Sequence, residues 1–141
     1  LEINKFYPDI KVTGEACPMW VPLVENYEFD SPGADYFVEK RINNLMRKDP
    51  EIDSIILGCT HYPLLLNKII KYVPKCVQVI TQGEYVANSL KDYFMRHPAI
   101  EEKCTKTGTC RYLTTESPEK FKESAQVFLH KSIEVDKVSF D

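Results

Sequence analysis

Apolar residues recur along this chain with two alternating periods, and the alternation sets out its elements. Ile10, Lys11, Val12 and Thr13 form a short run of strand character. Asp30-Ser31-Pro32 puts a capping side chain ahead of a proline, which predicts a helix start. From there Tyr36, Phe37, Ile42, Leu45 and Met46 keep near the helical period until Lys48-Asp49-Pro50 stops it. Residues 52–57 are mostly apolar and β-branched between Pro50 and Gly58, which predicts a strand buried on both faces of a parallel sheet. Pro63 opens the next helix, with Leu65, Leu66, Ile69, Ile70 and Val73 as its apolar positions and Pro74 as its end. Residues 77–80 are a further strand. A helix from Gly83 to about Arg96 follows through Val86, Ala87, Leu90, Tyr93 and Phe94.

The remainder continues the alternation. Residues 99–109 are polar and rich in threonine, a loop. Residues 110–113 predict a strand. Ser117-Pro118, with Glu119 and Glu123, starts a last helix carrying Phe121, Ala125, Phe128 and Leu129 on one face. Residues 134–140 alternate apolar with polar, as an edge strand does. Strand–helix alternation without repeats argues an α/β fold: three layers, with a mostly parallel sheet and helices on both faces.

Composition narrows the function classes. The 141 residues are 43% hydrophobic and 28% charged, ordinary for a globular domain. Eighteen Lys+Arg against 21 Asp+Glu give a net charge of −3, so the basic field that nucleic-acid binding needs is lacking. No apolar run approaches the ~20 residues of a membrane span. Leu1 is not an initiator methionine and no secretory leader pattern follows it, so a cytoplasmic piece of a longer chain is expected. The five cysteines are odd in number, irregularly spaced and without a C-x-x-C pair, which argues reduced thiols. Cys104 and Cys110 flank a loop with no histidine nearby, so neither a metal site nor a disulfide is expected there.

Ligands of open α/β sheets bind beyond the carboxyl ends of strands. The sharpest such turn is Gly58-Cys59-Thr60-His61-Tyr62-Pro63. Gly58 allows a tight turn or a close ligand approach. Cys59 stands just ahead of a helix start, where positive potential favours a thiolate or an anionic substrate. Thr60 adds a hydroxyl and a backbone N–H, and His61 can exchange protons near neutral pH. The bland alternative is a packed cysteine and a satisfied histidine in a connecting turn. A second segment runs from Ala16-Cys17-Pro18 to Glu25. Its prolines predict a non-helical loop, in which Cys17 is packed and Glu25 is either an exposed loop carboxylate, the more frequent case, or one that orients His61 or raises its pKa.

Leu57-Gly58-Cys59-Thr60-His61-Tyr62-Pro63-Leu64-Leu65 resembles the second cysteine motif of bacterial glutamate racemases. Ala16-Cys17-Pro18 with Val21-Pro22-Leu23-Val24-Glu25 resembles the upstream signature of that family, and Val79-Ile80 to Ala87 and Tyr112-Leu113-Thr114-Thr115 fit its C-terminal part. The resemblance implies a cofactor-independent isomerase that interconverts L- and D-glutamate for peptidoglycan. Its two α/β lobes clamp the substrate between two cysteines. Cys59 matches the second of these, His61 the histidine assisting it, Glu25 a carboxylate near that histidine, and Thr60 a substrate-binding residue. The family's opening Asp-Ser motif and its Asn-Thr-flanked first cysteine are not matched here. The chain thus resembles the C-terminal half. Residues 1–81 would be the rear of the second lobe, and 82–141 the segment returning to the first.

The partners expected are glutamate as a small-molecule substrate and a second copy in a candidate homodimer, with no nucleic acid, membrane, cofactor or metal. Two other functions compete. A Cys59/His61 thiol hydrolase would form an acyl intermediate and need an oxyanion hole. A non-catalytic α/β module would only pack against another chain.

Overall fold

A computed structural model describes residues 2–140, so Leu1 lies outside the described residues. The chain divides into two compact units, Leu1–Ser89 and Leu90–Asp141. In the first, α1 (Glu2–Phe6) and an extended segment precede α2 (Trp20–Glu25) and α3 (Pro32–Lys48). Ser31 caps α3 by accepting the Ala34 N–H at 3.2 Å, as the Asp-Ser-Pro start predicts. β1 (Ser54–Ile56), a 3-10 turn (Tyr62–Leu65), α4 (Leu66–Tyr72) and β2 (Gln78–Ile80) follow. β1 and β2 pair in parallel, with Ile55 opposite Val79. Helix α5 (Gln82–Arg96) carries the chain across the division between units.

The core of the first unit gathers Trp20, Leu23 and Val24 of α2 with Ala34, Val38 and Ile42 of α3. Ile55 and Leu57 around β1 join it, together with Cys17, Leu65, Ile69, Val73 and Val77. Buried apolar area is the main stabilising contribution, and α3 packing on α4 supplies much of it. A polar knot pins the same two helices: Asp35 of α3 accepts from Lys68 at 2.6 Å, Lys71 at 2.9 Å and the Tyr72 hydroxyl at 2.8 Å.

The second unit is one strand–helix–strand repeat. A short helix, α6 (Pro98–Glu101), precedes β3 (Tyr112–Thr114), α7 (Pro118–Leu129) and β4 (Val135–Lys137). β3 and β4 are parallel, with Leu113 opposite Asp136. Ser117 caps α7, and His130 ends it in the left-handed region at φ 51°. The α/β class and parallel pairing thus hold throughout the described residues, in two two-stranded sheets.

Four local expectations are corrected. Residues 10–13 pair with no strand; instead Lys11 and Thr13 bond the buried Asp49 at 2.9 and 3.2 Å, so side chains rather than a ladder anchor them. The segment ending at Glu25 is helical from Trp20, because Pro22 falls in the first turn, whose N–H groups lack partners anyway. Residue 52–57 burial is one-sided: Ile55 is buried and Ile56 is 55% exposed, since alternate side chains point apart and nothing in this unit covers the second face. Residues 98–101 are helical where a loop is expected to begin, because Pro98 suits a first helical turn.

Candidate functional site

The chain leaves β1 at Ile56, and Leu57 extends the ladder by donating its N–H to the Ile80 carbonyl at 3.0 Å. The turn then begins at Gly58. Its backbone is not left-handed, and a Cβ there would meet nothing within 4 Å, so the fold itself does not demand glycine. Tyr62 N–H donates to the Cys59 carbonyl at 3.2 Å and Leu64 N–H to the His61 carbonyl at 3.0 Å, closing the turn. Helicity starts in the 3-10 turn and becomes α only at Leu66. That short, broken start gives Cys59 less dipolar support than a continuous helix would.

This local winding sets Cys59 Sγ 3.9 Å from His61 Nδ1, hydrogen-bond reach for sulfur. On the other side of the ring, His61 Nε2 stands 3.5 Å from Glu25 Oε1. Glu25 is the last residue of α2, and Tyr27, two residues on at φ 61°, turns the chain away. Thiol, imidazole and carboxylate therefore form a series, with the imidazole in the middle. Such a series can pass a proton to or from a thiol while the carboxylate orients the ring and stabilises its charged form. The site is open to solvent: Glu25 is 61% and His61 34% exposed. Thr60 is exposed between Cys59 and His61.

The other cysteines differ. Cys17 is buried, and its thiol is pushed up to about 11, by burial first and the nearby Glu15 carboxylate second. It is a packed thiol, as the sequence predicts. Glu15 is held below the usual carboxylate range by Lys48, against the opposing effect of burial, and further by Arg41. Cys76, Cys104 and Cys110 are exposed, and no cluster of metal-ligating side chains occurs among the described residues. No helix among them is long and apolar enough to cross a membrane.

Two residues that no motif argument singles out complete the surroundings. Trp20 meets Tyr62 edge to face, with ring centroids 4.8 Å apart. Tyr62 is held above the ordinary phenol value, by burial first and then by the Cys17 and Cys59 thiols. An aromatic residue directly after His61 was the available signal, but its partner lies on a distant segment.

A parallel α/β unit with a thiol and an imidazole on the turn beyond a strand end, and a carboxylate beside them from α2, is an arrangement that suits acid–base chemistry. Relatives narrow it. The chain is 37% identical over 125 residues to the glutamate racemase of Roseobacter denitrificans, covering 89% of this chain and 44% of that protein. It is 34% identical over 141 residues to that of Streptococcus pyogenes, covering 98% and 51%. Among solved structures, a glutamate racemase isoform from Bacillus anthracis superposes with TM-score 0.83 at 31% identity, over 98% of this chain and 50% of that one. The Francisella tularensis glutamate racemase in complex with D-glutamate gives 0.82 at 25% identity, over 99% and 51%. No family profile matches the chain. The chain is similar to glutamate racemases over nearly its whole length and spans about half the length of the curated relatives it matches.

Proposed function

We propose that this chain supplies one side of a glutamate racemase active site and corresponds to the C-terminal half of such an enzyme. In that reading residues 1–81 are the rear of the second lobe and residues 82–141 return to the first. The observation that carries it is the series Cys59–His61–Glu25, at 3.9 and 3.5 Å, in a chain that matches racemases over nearly its whole length.

Racemisation at Cα breaks one C–H bond and makes another on the opposite face. Cys59, as a thiolate, takes or returns the proton on its face, and His61 accepts the thiol proton that must first leave. Glu25 orients the imidazole and stabilises its charge, and Thr60 hydrogen-bonds polar groups of the substrate. Only protons move, so the reaction balances without electron transfer and needs no cofactor. The opposing base belongs to the half that this chain does not span. Glutamate is the substrate this reading assigns, since a relative is seen with D-glutamate. The product would feed peptidoglycan synthesis in the cytoplasm.

The test is Cys59→Ser in the complete enzyme. A hydroxyl is far less acidic than a thiol, so kcat should fall by much more than tenfold. Retention of more than about a tenth of kcat, a loss of only ~1.4 kcal/mol, would show that Cys59 is not an essential base.

A further inference from the structure

Glu25 is exposed and His61 half-buried, and an ion pair so open to solvent contributes too little to hold its own geometry. Something buried must therefore fix α2 against the turn. Trp20 opens α2, and Glu25 closes it. Tyr62 directly follows His61, and its N–H holds the Cys59 carbonyl at 3.2 Å. Behind the site these two residues meet, rings 4.8 Å apart and inclined at 70°. The contact thus joins the roots of the two segments whose tips carry Glu25 and His61.

Both partners are anchored independently of the exposed pair. Trp20 is 2% exposed, and its ring N–H donates to the Phe37 carbonyl of α3 at 3.4 Å. The buried Cys17 thiol, close enough to raise Tyr62, donates to the Glu15 carbonyl at 3.7 Å. Glu15 is held by Arg41 and Lys48 of α3 at 3.0 and 2.5 Å. Tyr62 is therefore fixed through its ring against Trp20, while its backbone grips the turn.

We propose that Tyr62, braced by Trp20, is the positioning residue that sets His61 between Cys59 and Glu25. The proposal rests on the thiol–imidazole reading given above. Tyr62 acts through its ring and its backbone and moves no substrate proton.

A double-mutant cycle on the 141-residue chain tests it. The rate of Cys59 alkylation by iodoacetamide is read by peptide mass spectrometry, with exposed Cys76 and Cys110 as internal references. With Tyr62 intact, His61→Ala should change the Cys59 rate by about threefold or more. In a Tyr62→Leu background that His61 effect should vanish, and in a Tyr62→Phe background, which keeps the ring, it should persist. Emission of Trp20, the one tryptophan, and far-UV circular dichroism check that the variants stay folded. A full His61 effect surviving in folded Tyr62→Leu overturns the positioning role alone. Absence of any His61 effect with Tyr62 intact overturns the thiol–imidazole reading, and the proposal with it. If Tyr62→Leu fails to fold, Trp20→Leu breaks the same contact from the other side and is judged by the same two outcomes.

Discussion

Two cysteines close in sequence to the site carry opposite chemistry, and burial decides which is which. Cys59 lies on an open turn beside an imidazole, whereas Cys17 is walled in, its thiol raised from 9.0 to about 11. The sign of the resulting pH effect follows. Below pH 9 Cys17 is neutral whether the chain is folded or not. Above it the unfolded chain gives up the proton while the folded chain keeps it, so stability falls as pH rises from 9 toward 11. The loss should be on the order of 2 kcal/mol. Urea unfolding at pH 8 and pH 10.5 measures it. Cys17→Ala should start less stable through lost packing yet lose less between the two pH values. Tyr62, also raised, adds a change of the same sign, of which the variant keeps the part due to burial and Cys59. Equal losses in both proteins would show that Cys17 is not the source.

Among the elements, the α3–α4 pair holds the framework behind the turn. Lys68, then Lys71 and Tyr72, keep the Asp35 carboxyl well below the usual carboxylate range, and Asp35 raises both lysines in return. A depressed carboxylate stabilises the fold above its ordinary value of 3.8 and loses that contribution as pH falls below it. The lysines act in the opposite sense, fully below 10.5 and fading above. Asp35→Asn should therefore lower Tm at pH 7, and the gap from wild type should narrow as the pH drops toward 2. A gap unchanged from pH 7 to pH 2 would mean that the knot's charge adds nothing and only shape was lost. The elements themselves were legible where the signal is local. Ser31 and Ser117 announce their helices because capping is a contact within one turn. Residues 10–13 were misread because strand propensity forms no strand without a partner edge, and here Asp49 holds the segment by side chains.

At the scale of the whole molecule, the proposed stereoinversion sets a requirement that one thiol–imidazole pair would not meet. A proton must leave one face of Cα and another must arrive on the opposite face. The described residues form one thiol–imidazole pair, while Cys17 is packed and the remaining cysteines are exposed away from any imidazole contact. Positioning by the second half can also be worth ~7–11 kcal/mol. The 141 residues alone should therefore not racemise glutamate. Incubation with L-glutamate in D₂O, followed by optical rotation and α-deuterium content, checks this. Sustained racemisation, abolished by alkylating Cys59, would reveal a second base within this chain.

The sequence by itself determined what short-range geometry controls. Cys59 and His61 are two residues apart, so one tight turn suffices to bring thiol and imidazole together. The order of strands and helices, and with it the α/β class, follows from periodicity and capping in the same local way. The tertiary structure decided the rest. Glu25 reads in the sequence as a carboxylate at the end of an apolar run, indistinguishable from a solvated one. It reaches His61 only because α2 packs against the 3-10 turn, and Trp20 and Tyr62 make that packing. Contacts between distant segments are selected by burial of the whole core, which no single stretch of residues encodes.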